Sequence, residues 1–188
     1  FHFMFNIFGK KENKVIVKDI IWLNKQAKHY GCLKQIKENE SVIFIAWFNE
    51  TADELNEFLQ NSIHANNKVL MAREASASRL LGNTPVFAEH YPLKEKETQL
   101  FNNLQLKEVQ IHSSLDEALF MQFGGEHLQK LMIQMGMSES EPIEHAMITA
   151  AIKRAQEKIA KKVLIEQSAL SQSDWFRMNV SDIASKRK

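Results

Sequence analysis

SVIFIAWFNETADELNEFLQ, residues 41–60, is the stretch that decides the fold class predicted for this chain. Its first part, Ser41–Phe48, is a continuous run rich in β-branched and aromatic residues, which is typical of a strand buried on both faces of a parallel sheet. Its second part predicts an amphipathic helix, because Thr51 and Glu54 have the spacing of a capping box. A buried strand followed closely by a capped helix is the first half of a βαβ unit.

Segments of the same kind alternate on both sides of this stretch. β-rich runs predict further strands at 14–17, 68–72, 85–89 and 108–112. Helical spacing predicts helices at 19–37, 73–82 and 94–104, and Ser114 with Glu117 forms a second capping box before another helix. The alternation predicts an α/β fold, a three-layer, doubly wound, mostly parallel sheet of the RecA or helicase-C type. The pattern leaves the strand order open.

The pattern changes after Gly136, where a polar segment leads to a long stretch without glycine or proline. From Pro142 to about Leu170 it predicts one helix of roughly 42 Å, which would form a long C-terminal helical extension. Its apolar stripe is Ile148, Ile152, Ala155, Ile159 and Val163. We therefore expect three parts: a flexible N-terminus at 1–13, a RecA-like domain at 14–137, and a helical extension with a loose tail at 138–188.

The N-terminal segment FHFMFNIFGKK is apolar but far shorter than the ~20 residues of a membrane span. We expect Met4 to be the natural start, with residues 1–3 contributed by an expression vector. An alternative is a short interfacial anchor in which Phe5, Ile7 and Phe8 precede two lysines. No stable membrane insertion is predicted.

Charge and cysteine usage narrow the functional classes. The 188 residues carry 24 basic and 23 acidic side chains, so no overall field favours nucleic acid. Cys32 is the only cysteine, which excludes an internal disulfide and suits a cytoplasmic protein. We expect it to be a buried, inert thiol rather than a nucleophile.

Catalytic and cofactor motifs are not found in the sequence. None of the six glycines has the frame of a phosphate-binding loop, and Gly124 and Gly125 follow a predicted helix rather than a strand. No cofactor or metal is predicted, since the seven histidines lack metal-ligand spacing. Glu89, His90 and His112 end predicted strands and are the candidates for a strand-end site, with ordinary loop histidines as the alternative.

Two features could form a partner surface. Met132, Met135 and Met137 surround Gly136, where methionines can either adapt to a partner or fill a core. The polar face of the long helix carries lysines that can meet a partner or simply be solvated. Three of them, Lys153, Lys158 and Lys161, are included in the predicted surface.

The segment Leu115–Ile159 resembles one region of SecA, the ATPase motor of preprotein translocation. The family has a segment of the form S-L-E-D-x-L-x-x-x-F-G-x-x-x-x-x-x-M-x-x-L-G-M, followed by an acidic E-x-I-E-H and by A-I-x-x-A-Q-x-K. The matching residues are Ser114, Leu115, Phe123, Gly124, Met132, Gly136, Met137, Ile143, Glu144, His145, Ala151, Ile152, Ala155, Gln156 and Lys158. The resemblance implies the second nucleotide-binding domain of the family, followed by the start of its helical scaffold.

The departures from the family decide the predicted function. No arginine lies between Val86 and Lys107, where the family has the motif that supplies its arginine finger. The chain also lacks a Walker A sequence, so we expect a non-catalytic, SecA-related scaffold that binds proteins and has no enzymatic activity. Its partner would be a second copy, a translocation ATPase or a client chain.

Two other hypotheses stay open. In one, the chain completes or regulates an ATPase site in trans, with Arg79 and Lys94 as the basic residues at that interface. In the other, Glu89, His90 and His112 form a small-molecule enzyme site.

Overall fold

Five strands form one fully parallel sheet in the computed structural model, which describes residues 15–64, 67–143 and 146–180. The strands are β1 Ile16–Trp22, β2 Val42–Ala46, β3 Val69–Met71, β4 Thr84–Phe87 and β5 Glu108–Ser114. Their order is β1-β5-β4-β2-β3. Helices cover the sheet, which confirms the predicted three-layer α/β fold.

Seven α-helices accompany the sheet in the described part of the chain. They are α1 Lys25–Glu38, α2 Asn49–Ile63, α3 Lys94–Asn103, α4 Ala118–Met121, α5 Gly125–Gln134, α6 Ala146–Ala160 and α7 Gln172–Asn179. Helices α1 and α2 pack on one face, where Cys32 and Leu55 meet Phe44 of β2. Helix α3 packs on the other face, where Phe101 meets Phe87 of β4.

The first predicted helix begins later than expected. Residues 19–22 belong to β1, because they pair with residues 111–114 of β5. Helix α1 begins at Lys25, and the side chain of Asn24 caps it by accepting from the Ala27 N–H at 2.8 Å.

Both predicted capping boxes need correction. Helix α2 begins at Asn49, with Phe48 as an N-cap that supplies no side-chain bond, so Thr51 lies inside the helix. The carboxylate of Glu117 does accept from the Ser114 N–H at 3.1 Å, but α4 begins only after Glu117. The predicted helix at 73–82 is also wrong, since a 3₁₀ turn at Ala72–Glu74 and further turns occupy that segment.

The predicted long C-terminal helix is wrong as well. Helix α6 ends at Ala160, and the chain turns back so that α7 lies against the same core. The physical reason is burial: Trp175 and Phe176 of α7 pack in one cluster with Ile152 and Ile159 of α6. A helix continuing to about residue 170 would leave those two rings in water.

The segment after α5 is also tied to the sheet. Ile143 pairs with Ile21 of β1 through two backbone hydrogen bonds, and Ile21 is fully buried. The domain boundary between residues 137 and 138 stays a prediction. The expectations for the N-terminus at 1–13 and for the loose tail at 181–188 concern residues outside the described part.

One glycine is required by close packing. A Cβ on Gly31 of α1 would lie 2.0 Å from Cζ2 of Trp22, so only glycine lets α1 approach β1 this closely. None of the helices in the described residues has the length and apolar character of a membrane span.

Candidate functional site

The carboxyl ends of β2 and β4 mark the point of the sheet where ligands bind in many α/β proteins. From β2 the chain runs outward through α2 to β3, and from the adjacent β4 it runs the opposite way through α3 to β5. Neighbouring strands whose connections diverge leave a crevice between their loops. The candidate site is therefore built by residues 47–49 and 88–93.

Glu89 places its carboxylate where an anion would bind in this crevice, next to the backbone N–H groups that precede α2; we call this place the anion position. Its Oε1 accepts from the backbone N–H groups of Trp47 and Phe48, both at 3.0 Å, and its Oε2 accepts from the Thr51 hydroxyl at 2.7 Å. Free N–H groups at the start of a helix favour a negative charge. Here the start of α2 holds a carboxylate of the protein itself, which is only 1% exposed.

Lys28 of α1 supplies the buried cation next to Glu89. Its Nζ donates to Glu117 Oε1 at 2.6 Å and to the Ala88 carbonyl at 2.9 Å. Burial acts to lower the pKa of Lys28, but the carboxylates of Glu117 and Glu89 outweigh it and the pKa is raised. Burial raises the pKa of Glu89 to about 7, against the opposing effect of Lys28. The cation is thus already neutralised inside the protein.

His90 lies between two carboxylates on the other side of the crevice. Its Nδ1 lies 2.8 Å from Glu97 Oε1, and its Nε2 lies 2.9 Å from Asp19 Oδ1. Both ring nitrogens can donate only in the imidazolium form. Burial opposes that form, but Glu97 and Asp19 prevail and raise the pKa of His90 to about 10. Burial acts to raise the pKa of Asp19, yet hydrogen bonding to His90 leaves it lowered.

Two glutamines from the C-terminal helices cover this ion cluster. Gln156 of α6 donates to Glu97 Oε2 at 2.9 Å and to the Tyr91 carbonyl at 2.8 Å. Gln172 of α7 donates to the His90 carbonyl at 3.0 Å and accepts from the Leu119 N–H at 2.7 Å. His90 is only 3% exposed as a result. The arrangement suits a structural ion cluster better than a reactive one.

His112 takes no part in the hydrogen bonds of Glu89 and His90. It lies on the face of the sheet covered by α1, where its Nδ1 accepts from the Trp22 indole N–H at 3.0 Å and lies 3.8 Å from Cys32 Sγ. Burial lowers the pKa of His112 to about 3 and raises the pKa of Cys32 to about 12. The structure brings Glu89 and His90 to one edge but does not bring His112 to them. The thiol of Cys32 is buried, as the sequence predicted.

The two basic residues considered for a trans interface are both exposed. Arg79 lies in the connection between β3 and β4 and forms an ion pair with Glu74 at 3.0 Å. Lys94 is the first residue of α3. They lie on separate elements, and neither contributes to the crevice hydrogen bonds formed by Glu89.

The predicted partner residues form two groups. Met132 and Met137 are half-buried against the core, whereas Met135 is 69% exposed. Lys153 and Lys158 lie on the exposed side of α6, and Lys161 lies just after its end.

Several residues of the crevice were missed by sequence reasoning. They are Asp19, Lys28, Glu97, Glu117, Gln156 and Gln172. The one usable signal was Lys28, which lies four residues before Cys32 on the buried side of α1. Asp19 was misplaced because β1 was predicted to end too early. The described residues contain no group of three or more side chains that could hold a metal ion.

Comparison with known proteins gives partial matches to one kind of protein. No protein-family model matches the chain. Protein translocase subunit SecA of Christiangramia forsetii is 46% identical over 50 residues, which is 27% of this chain. SecA of Heliobacterium modesticaldum is 34% identical over 82 residues, or 43% of this chain. Part of this chain is related to SecA.

The relation to SecA is limited in extent. SecA of Flavobacterium psychrophilum is 32% identical over 79 residues, which is 42% of this chain and 7% of that protein. The chain spans 4% of the C. forsetii SecA and 10% of the H. modesticaldum SecA. The activity of whole SecA proteins therefore reaches this chain only as a proposal.

Proposed function

We propose that this chain is a SecA-related module that does not hydrolyse ATP by itself and acts by binding other proteins. The observation that carries the proposal is the position of Glu89. A nucleotide phosphate at the β2–β4 crevice would need the N–H groups of the turn that leads into α2, and the carboxylate of Glu89 already accepts from two of them, those of Trp47 and Phe48.

The electrostatics of the crevice support the same proposal. The nearby buried cation, Lys28, is held by Glu117 and by a backbone carbonyl. A phosphate brought beside Glu89 and Glu117 would meet like charge, which disfavours its binding. The segment 86–107 also contains no arginine, and loss of an arginine finger costs on the order of 10³ to 10⁵ in rate.

The test is ATP turnover by the purified chain. We expect phosphate release from Mg-ATP to equal the no-protein background and the melting temperature to be unchanged by Mg-ATP. Saturable hydrolysis that is abolished by substitution of a single residue of this chain would overturn the proposal. A cytoplasmic location and a link to Sec translocation belong to the proposal and rest on the partial relation to SecA.

A second candidate is a half-motor that completes or regulates an ATPase site in trans. The exposure of Arg79 and Lys94 favours it, because exposed cations are available to a partner. The test is whether the chain changes the ATPase rate of a SecA from the same source. An effect that survives both Arg79→Ala and Lys94→Ala would exclude these residues as its cause.

A further inference from the structure

An apolar groove of about 310 Å³ lies between α4, α5 and α6. Its walls are mainly aliphatic and aromatic: Phe120 and Phe123 on one side, Leu128 of α5, and Ile148 and Ile152 of α6. The groove is concave, so a ridge of side chains can fill it.

Exposed apolar side chains extend the groove along α5. Leu131 and Met135 follow Leu128 at spacings of three and four, and thus continue the same edge of the helix. Leu131 is 41% exposed, Met135 is 69% exposed, and Phe123 at the groove mouth is 46% exposed. A contiguous exposed apolar strip of this kind marks an interaction surface.

A row of cations borders the groove on α6. Arg154 lines it, Lys158 follows four residues later on the same edge of α6, and Lys161 lies just after the end of the helix. The exposed Glu157 of α6 lies beside them. All three are exposed. None of the three has an ion-pair partner among the described residues. The groove therefore offers an apolar floor and a rim on which the three cations outnumber the exposed Glu157.

We propose that this groove binds an amphipathic helix of another protein, whose apolar ridge enters the groove and whose acidic edge faces Arg154, Lys158 and Lys161. This inference names the partner class for the protein-binding function proposed above and rests on it. An apolar ridge in a groove is a common mode of helix recognition, and opposite charge on the rim fixes the orientation of the helix.

The alternative occupants fit less well. A bilayer surface is flat and cannot fill a concave groove. The chain's own terminal segments are basic: residues 1–14 carry three lysines and one glutamate, and residues 181–188 carry two lysines, one arginine and one aspartate. A second copy offers the acidic helix α2, but its apolar side chains Leu55 and Leu59 are already buried against the sheet.

The test uses a designed peptide as the probe. It has 15 residues, the length of α6, with leucine at every third or fourth position and glutamate along one edge. Fluorescence anisotropy of the labelled peptide is measured with the full chain, and a peptide with lysine in place of glutamate is the matched probe. We expect saturable binding of the acidic peptide, and binding at least about tenfold weaker for the lysine peptide.

Variants locate the binding site. Arg154→Glu and Phe123→Glu each change an exposed residue of the groove, and we expect each to weaken binding about tenfold or more. Lys37→Glu on α1 and Leu81→Glu, at a residue 84% exposed, are the matched controls and leave binding unchanged. Circular dichroism verifies that all four variants are folded.

Each other outcome overturns the inference. It fails if the acidic peptide does not bind, or binds equally to the groove variants and the wild type. It fails in favour of a dimer if sedimentation shows self-association that Phe123→Glu abolishes. It fails in favour of a membrane if phosphatidylcholine vesicles containing phosphatidylglycerol bind the chain and Arg154→Glu releases it. ATP turnover by the same preparation would instead overturn the proposed function, whatever the peptide does.

Discussion

At the scale of single residues, the chain has more buried charge than its composition suggests. Lys28, Glu89, His90, Asp19 and Glu97 are all at most 6% exposed. Buried charges persist only when they are paired and hydrogen-bonded, since an unpaired one would be strongly destabilising. Each of these residues has such partners at the carboxyl edge of the sheet. The edge used for chemistry in other α/β folds is used here for internal ion pairs.

Removal of the Glu89 carboxylate should be costly because it leaves two N–H groups unpaired. Glu89→Ala deprives Trp47 and Phe48 of their acceptor, and each unsatisfied group costs about 1–3 kcal/mol. We expect a loss of about 2–6 kcal/mol in the free energy of unfolding, measured with urea at pH 8. Glu89→Gln keeps an oxygen at this position and should lose about 1 kcal/mol.

The anion position can be tested in the same variants. Phosphate should stabilise Glu89→Ala more than it stabilises the wild type, because it can replace the missing carboxylate at the start of α2. Glu57→Ala, at an exposed residue of the same helix, is the control. An equal response of Glu89→Ala and Glu57→Ala to phosphate would contradict the assignment.

His90 should make the protein less stable as the pH rises. Its pKa is raised from 6.5 to about 10 in the folded state, so between these values the folded chain binds a proton that the unfolded chain has lost. Its stabilising effect is complete below pH 6.5 and is lost as the pH rises towards 10. We expect the free energy of unfolding to fall by roughly 2 kcal/mol between pH 7.5 and pH 9.

Two variants isolate the effect of His90. His90→Gln should remove the slope, and Asp19→Asn, which removes one of the two carboxylates, should reduce it if His90→Gln is too unstable to measure. His127→Gln, at an exposed residue of α5, should keep the wild-type slope. A full slope in His90→Gln and in Asp19→Asn would refute the assignment.

At the scale of elements, the C-terminal part owes its shape to α7. The periodic stripe of α6 places Ile152, Ala155 and Ile159 in the core, as the sequence predicted. The same stripe does not specify where the helix ends, because Lys161 and Lys162 are good helix formers. The end is set by the burial of the α7 aromatic residues. Helix length therefore follows from tertiary packing in this segment.

The contribution of α7 to stability can be measured by truncating the side chain of Trp175, which is fully buried. Trp175 is 0% exposed and hydrogen-bonds Glu166 through its indole N–H at 2.9 Å. We expect Trp175→Ala to lower the free energy of unfolding by about 3–5 kcal/mol, as for other buried aromatic residues. Leu164→Ala, at a residue 95% exposed, is the control and should change stability by less than about 0.5 kcal/mol. Equal effects of the two substitutions would mean that α7 does not hold this core together.

At the scale of the whole molecule, the sheet and the C-terminal helices share one core. Ile21 of β1, Leu115 just after β5, Ile152 of α6 and Trp175 of α7 belong to the same buried cluster. A core that spans the predicted boundary at 137/138 should unfold as one unit. The two parts of the SecA-like segment would then depend on each other for stability.

Truncation distinguishes one folding unit from two. A chain ending at residue 143 would expose Ile21, Leu119 and Phe120 to water, and we expect it to show no cooperative urea transition by circular dichroism. A chain ending at residue 180 keeps all the described contacts and should unfold like the full chain. Cooperative unfolding of the shorter chain, with near-native stability, would instead support an independent domain at 14–137.

The amino-acid sequence by itself determined the α/β class of this protein and most of its elements. This was possible because strand burial and helix amphipathicity are local, periodic properties, as in SVIFIAWF and in the stripe of α6. The relation to SecA was also readable, since it lies in the order of residues along the chain.

Only the tertiary structure decided the strand order, the end of α6 and the candidate site. Glu89 and the amides of Trp47 and Phe48 are about 40 residues apart along the chain, and Lys28 and Glu117 are separated by 89. No local pattern encodes such pairs, because their energy depends on burial and on charge partners that meet only when the sheet assembles. His112 shows the converse, since its place at a strand end predicted a site with Glu89 and His90, while its side chain packs under α1 against Trp22 and Cys32.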